Sequence, residues 1–378
     1  MRARIPLSAP DIEQAEIDAV TAVLRTNDLC LGPELAAFEE ALARYHSTGD
    51  AVAVSSGTAG LHLALTAFGI GEGDEVIVPS FAFVAVANTV RQARAVPVFA
   101  EIDAVTLNLD PAGVERAITS RTRAVVVVHT FGVPAEMDEL EKVARRHGIA
   151  VIEDACEAIG AEFDGRRVGS YGEMAVLGFY PNKQITTGEG GAVLCRDATQ
   201  GARLRCLRNQ GRSGSEWFDY AEPGFNYRLS DMACALGRVQ LGRIDEILTL
   251  RAAAAERYKR LLAGVAGLEL PPLALPRRKI SWFVYVVRVP GDVCRDEVQA
   301  AMARAGIATG RYFAPLHQQP AMRDAPAAEM LAVTEQLAPR MLALPFFNRI
   351  TESEQHEVAN ALRNAIHEAR QFTAAGPS

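Results

Sequence analysis

Short apolar runs punctuate the first half of the chain: AVAV from residue 51, EVIVP from 75, VPVFA from 96, RAVVVV from 123 and IAVIED from 149. Their apolar positions are nearly continuous, the pattern of strands covered on both faces. Helical periodicity lies between them. It is clearest over 135–147, where Met137, Leu140 and Val143 share a face and Gly148 supplies a stop. Before the first run, residues 35–45 place Leu35, Phe38, Leu42 and Tyr45 on one side of a helix whose other side is acidic. Two more runs, MAVLGF within 173–179 (Glu173 at its flank) and AVLC at 192–195, bring the strands to seven, with less helix between these last two. The alternation predicts an α/β fold with a mostly parallel, doubly wound sheet flanked by helices.

Beyond residue 228 a long helical stretch is expected through Met232, Leu236, Val239, Leu241, Ile244, Ile247 and Leu248 toward Tyr258. The proline cluster PPLALP at 271–276 then marks a connection. SWFVYVVRV at 281–289 reads as a strand, 294–305 as a helix and 352–372 as a terminal helix, with TAAGPS a frayed tail. The expected division is a large domain over 1–250, including the N-terminal helical segment, and a smaller C-terminal α+β domain over 251–378.

Composition narrows the function. The 378 residues, 49% hydrophobic, suffice for one large core and a second smaller one. A net charge of -7 without blocks of like sign offers no long-range attraction for nucleic acid or an anionic membrane. Six cysteines in no Cys-x-x-Cys spacing suggest reduced thiols and no zinc site. MRARIPLSAP contains no secretory apolar stretch, and every 20-residue window carries charge, so no membrane span is expected and a cytoplasmic location follows.

Ligands of open parallel sheets collect at the carboxyl ends of the strands, and four of those ends are unusual. Ser55-Ser56-Gly57-Thr58-Ala59-Gly60 leads straight into the helical LHLAL, so its amides and the Thr58 hydroxyl suit a phosphate, although strand-to-helix turns are often rich in Gly and Ser. Asp154 arrives from a buried strand and needs a cationic or proton-donating partner, such as a protonated pyridine nitrogen, unless it caps the next helix. Lys183 lies in FYPNKQITTGEGG, a turn-rich loop between two apolar runs. Most lysines are solvated, yet a desolvated one there can attack an aldehyde. Phe83, in PSFAF, is either core or a flat platform for a planar ring. His62 reads as packing, His129 as packing or ligand, and Glu189 as part of the loop geometry.

SSGTAGLHLAL, PSFAFVAVAN, VIEDACEAIGA, FYPNKQITTGEGG, GFNYRLSD and YFAPLHQQP, taken in this order, resemble the DegT/DnrJ/EryC1/StrS family of sugar aminotransferases, of fold type I; the likeness runs from IPLSAPDI at residue 5 to about 348. The resemblance implies pyridoxal 5'-phosphate, held as a Schiff base by Lys183, with Asp154 on the pyridine nitrogen and Phe83 stacked on the ring. It implies a phosphate site at Gly57, Thr58 and the Ala59 amide. Asn226 or Arg228 would reach that phosphate from the partner of a homodimer with shared sites. Tyr312 and His317 would be lid or substrate contacts, or else packing between the domains. Glu157 stands where many members carry Gln or His against the ring's phenolic oxygen, and a carboxylate there is repelled unless a proton is shared. Gly178 stands where many carry Ser.

The activity so implied is a ping-pong transfer of an amino group from an amino acid, L-glutamate, to a keto sugar attached to a nucleotide. A keto-cyclitol of an aminoglycoside pathway is the alternative substrate. In related dehydratases histidine replaces the lysine, so Lys183 argues against that branch. A regulatory protein that keeps the fold without turnover is the alternative from another class.

Overall fold

The computed structural model describes residues 3–214 and 219–375. Two helices open the chain, α1 (Gln14–Leu24) and α2 (Pro33–His46). Strands and helices then alternate: β1 (Asp50–Val54), α3 (Gly57–Ala67), β2 (Glu75–Pro79), α4 (Ala85–Gln92), β3 (Val96–Ala100), α5 (Pro111–Ala117), β4 (Thr122–Val128), α6 (Met137–His147) and β5 (Ala150–Asp154). Two-residue strands β6 (Glu162–Phe163) and β7 (Arg166–Arg167) precede β8 (Met174–Gly178) and β9 (Gly191–Cys195), and α7 (Ala198–Arg208), α8 (Asp231–Gly242) and α9 (Ile244–Leu262) follow. The remainder is β10 (Arg278–Lys279), β11 (Tyr285–Arg288), α10 (Arg295–Arg304), α11 (Ala332–Leu337), β12 (Met341–Leu344) and α12 (Glu352–Ala375).

The seven expected strands form one sheet in the order β1-β9-β8-β5-β4-β2-β3. From β8 across to β3 every pair is parallel, and only β9 runs against its neighbours β8 and β1. Antiparallel neighbours need no crossover helix, which explains why so little helix separates the last two runs. The loop that carries Lys183 therefore leaves the carboxyl end of β8 and returns through β9, with Gly178 opposite Gly191. Leu61, Leu65, Val86 and Leu204 cover one face of the sheet. The other face is packed by Phe38, Leu42 and Cys234 toward β1 and β9, and by Val114, Leu140 and Val143 toward β4.

Local chemistry sets the helix ends. In α6, Asp138 and Glu139 occupy the first turn, Arg145, Arg146 and His147 the last, and Gly148 closes it at φ 65; this order of charge suits the helix dipole and glycine suits the left-handed cap. The helix begins at Met137 rather than 135, since the Ala135 amide is given to His129 Nδ1.

Four expectations need correction. The long helix after 228 is two, because Gly242 weakens it and Arg243 at the break turns its guanidinium onto Asp11, Glu13 and Glu16. The strand expected at 281–289 shortens to Tyr285–Arg288, since Trp282 sits at φ 55 and Ser281 and Phe283 donate their amides to Gly132 O and Phe131 O. Its partner β12, antiparallel to β11, was not foreseen. The terminal helix runs on through Ala375, so half of TAAGPS is helical, and Gly376–Ser378 lie outside the described residues. Trp282, Tyr285, Val298, Leu342 and Leu362 build a separate core in this C-terminal part, joined by Ile5. No described helix is long and apolar enough to cross a membrane.

Candidate active site

β5 and β8 lie side by side in the middle of the sheet, and both end at the same edge. Asp154, the last residue of β5, is buried, and its Oδ1 accepts the Cys156 amide at 3.0 Å. Its neighbour Glu153 projects to the other face, because side chains alternate along a strand. There it accepts the amides of Gly169, Tyr171 and Gly172 at 2.7–2.8 Å and meets His129 Nε2 at 2.9 Å. Burial works to raise the Glu153 carboxyl, but these donors outweigh it and hold it below the usual range. His129 Nδ1 accepts from the Ala135 amide, so Nε2 carries the proton and both nitrogens are satisfied; this histidine is a packing residue.

Lys183 emerges from the loop after β8 with 15% of its side chain exposed, and its Nζ lies 3.5 Å from Glu157 Oε1. The face of Phe283 lies 4.0 Å away, measured to the ring centroid. Glu157 in turn accepts the Phe131 amide at 2.9 Å. Burial pushes the Glu157 carboxyl above its ordinary range, against the pull of the ammonium and the Phe131 amide. Gln184 braces the loop by donating to Glu157 O at 2.7 Å and to Ser281 Oγ at 3.0 Å. Glu189 is exposed and takes part through its carbonyl, which accepts the Thr187 hydroxyl.

Next to this group the first strand turns into α3. Ser56 caps the helix by accepting the Ala59 amide at 3.0 Å, while Gly57 and Thr58 remain partly open. Gly57, Gly178 and Gly191 are packed too closely for side chains. A Cβ on Gly57 would stand 2.7 Å from Cys156 Sγ, one on Gly178 3.1 Å from Cys156 Cβ, and one on Gly191 2.6 Å from the Gly57 nitrogen. The Cys156 side chain thus fills the space that a serine at 178 would take. Phe83, 59% exposed at the end of the turn after β2, presents its ring to the open side of the sheet edge.

The remaining candidates divide. Tyr312 joins the group: its ring stacks on Phe283 at 6.2 Å and 21°, and burial raises its phenol. His317 is held by protein at both ring nitrogens. It donates its backbone amide to Ser80 Oγ, receives that hydroxyl at Nδ1 (2.6 Å) and meets Glu335 through Nε2 at 3.0 Å, which accounts for it as a docking residue. Asn226 is exposed, and Arg228 donates to Asn209 Oδ1 at 2.9 Å. Between them, the Tyr227 carbonyl accepts the Ser55 amide, which lays this segment beside the phosphate candidate of its own chain. His62 packs as expected, with Nδ1 3.1 Å from the Tyr227 hydroxyl. Phe131, Phe283, Ser281 and Cys156 escaped the sequence reading. For Phe283 the only available signal was an aromatic at the start of an apolar run.

The residues present fit a flat, phosphorylated aldehyde. A glycine cradle that a Cβ would crowd lies at the start of α3, Phe83 is exposed after β2, and the buried side-chain amide oxygens of Asn182 and Gln184 in the lysine loop have no hydrogen-bond partner among the described residues. A curated relative, GDP-perosamine synthase of Caulobacter vibrioides, is 39% identical over 367 residues, covering 96% of this chain and 98% of that one. The solved DesV of S. venezuelae is 37% identical with a TM-score of 0.89, covering 97% of this chain and 99% of that one. The protein Spr1654 of Streptococcus pneumoniae, solved in PLP and PMP forms, is 26% identical to this chain; its PLP form has a TM-score of 0.92 and covers 97% and 99%.

Fold and relatives together make this a pyridoxal-phosphate-dependent aminotransferase. The chain belongs to the DegT/DnrJ/EryC1/StrS aminotransferase family, whose model matches residues 10–363.

Proposed function

We propose that this enzyme moves an amino group from L-glutamate to the keto carbon of a nucleotide-linked sugar, at a site centred on Lys183 and Asp154. The carrying observation is the Lys183 amine, mostly withdrawn from solvent and set between the Glu157 carboxylate and the Phe283 ring at the edge where Asp154 ends its strand. The similarity to a GDP-perosamine synthase makes a GDP-linked sugar the first substrate to try.

Pyridoxal phosphate, when bound, supplies an aldehyde that condenses with amines and a ring that accepts an electron pair. Lys183 would hold it through its amine and, when free, would serve as the proton acceptor and donor beside the substrate. Asp154 would keep the ring nitrogen protonated, Phe83 would stack against the ring, and Glu157 would lie toward its phenolic oxygen. Gly57 and Thr58, with the Ala59 amide shared with the Ser56 cap, receive the phosphate. Tyr312 borders the substrate side, and His317 supports that segment from below.

The large domain, 1–250, holds the cofactor and the smaller one, 251–378, closes over it. A homodimer completes each site with Asn226 or Arg228 of the second copy. The exposed apolar side chains of Ile17, Leu24, Leu29 and Leu31 support a surface covered by a partner. We place the enzyme in the cytoplasm.

Incubation with L-glutamate and a panel of keto sugar nucleotides should yield 2-oxoglutarate and one aminated sugar, followed by mass spectrometry. Lys183→Ala should abolish both. Failure of L-glutamate to transfer nitrogen to any of these sugars would leave the reading without support.

A further inference from the structure

Phe283 comes from a distant part of the chain, just ahead of β11, yet it faces the reactive amine. Its position is fixed from several directions. Its amide donates to Phe131 O at 3.2 Å and the Ser281 amide to Gly132 O at 3.0 Å. The buried guanidinium of Arg251 donates to Trp282 O and Phe283 O, both at 2.6 Å, and to Asn348 Oδ1. These acceptors are all uncharged, and burial lowers Arg251 to about 9. Trp282 is held at φ 55 and Phe131 at φ 58, a region that side chains other than glycine occupy only where the surroundings enforce it. Tyr312 stacks on the Phe283 ring. A buried cation and two residues of left-handed backbone thus converge on the segment that carries this ring.

The negative face of such a ring attracts an ammonium and favours it over the neutral amine by roughly two- to thirtyfold. We propose that Phe283 is a positioning residue of the active site, whose ring holds the free Lys183 amine against Glu157 whenever that amine is released. The inference rests on the reading of Lys183 as the reactive amine. An amine so held spends more of its time inside the site than one without the ring. The titratable groups around it are Asp154 at the end of β5, Cys156 and Glu157 from the turn after it, and Tyr312 from the segment that stacks on the ring. Glu157 and Asp154 hold contacts that do not involve the ring, whereas Tyr312 stacks on it.

The test uses full-length enzyme freed of cofactor. It is treated with pyridoxal, which lacks the phosphate and so reports amine reactivity, then with borohydride, and label on the Lys183 peptide is measured by mass spectrometry across pH. Pentafluorophenylalanine at position 283 keeps the shape of the ring and reverses the charge of its face. The pH of half-maximal labelling should fall by roughly half a unit to one and a half units. Phe283→Leu should move it the same way. A fluorinated protein with unchanged unfolding midpoint and unchanged labelling pH would overturn the inference alone. No label on Lys183 in the unsubstituted enzyme would overturn the underlying reading as well.

Discussion

Glu157 is where burial and charge compete most directly. Burial and the nearby Asp154 favour its neutral form, Lys183 and the Phe131 amide favour the carboxylate, and the balance leaves the carboxyl raised. A group whose pKa is higher in the folded than in the unfolded state supports folding at low pH and loses that support as pH rises through the raised value. Glutamine keeps the acceptor for Phe131 and carries no charge. Glu157→Gln in the cofactor-free protein should therefore unfold at a higher temperature than the natural chain at pH 8, with the gain vanishing below the ordinary carboxylate range. A variant less stable throughout would mean that the pairing with Lys183 outweighs burial. Asp154 stands out in the sequence because it ends an apolar strand with a charge that needs a partner, and Lys183 because it lies in a turn-rich loop between two apolar runs. Phe283 does not, because an aromatic in an apolar run looks the same whether it packs in a core or faces an amine.

The end of β8 and the turn after β1 meet the turn after β5 around Cys156, and each of the two has a glycine, Gly178 and Gly57, where the Cys156 side chain fits. Crowding this junction should cost about 1–3 kcal/mol, the usual penalty of an overfilled core. Gly178→Ser is predicted to lower stability by that amount in urea titration and to weaken retention of pyridoxal phosphate. Combining it with Cys156→Ala should restore much of the loss, with a coupling of about 0.5–3 kcal/mol. Simple additivity of the two changes would remove Cys156 as the obstacle. At this scale the seven strands were legible since strands covered on both faces need near-continuous apolar residues. β12 was not, because MLAL is too short to tell from helix, nor was the break at Arg243, which depends on acids more than two hundred positions earlier.

Across the molecule, those acids tie the N-terminal segment to the rest. Arg243 lies 3.2 Å from Asp11, 3.0 Å from Glu13 and 2.9 Å from Glu16, and Arg349 binds Asp11 at 2.6 Å. Gln240 links this hub to the lysine loop, donating to Glu16 Oε1 at 2.8 Å and accepting the Thr186 amide at 3.3 Å. Burial acts to raise Glu16, but Gln240, Arg243 and the Glu13 amide outweigh it, so its carboxyl is lowered. The support it gives is present above the normal carboxylate range and disappears as pH falls through the lowered value. Arg243→Met should cost about 3–5 kcal/mol at pH 7 in chemical denaturation, as expected when a buried acid loses its partner, and clearly less in strong acid.

For the proposed dimer, mixing Lys183→Ala subunits with doubly substituted Asn226→Ala, Arg228→Ala subunits should recover part of the activity through one intact site per pair. Persistent inactivity would count against the exchange of residues between copies.

The side-by-side acids of β5 also make the sheet unable to tolerate a shift. Moving that strand by a single position would turn every side chain over. Glu153 would leave its ring of amides and confront the catalytic edge, and Asp154 would be stranded among donors shaped for a longer arm. The pair therefore doubles as an alignment pin, and a chain threaded one step out of place would forfeit folding together with the site proposed at Asp154.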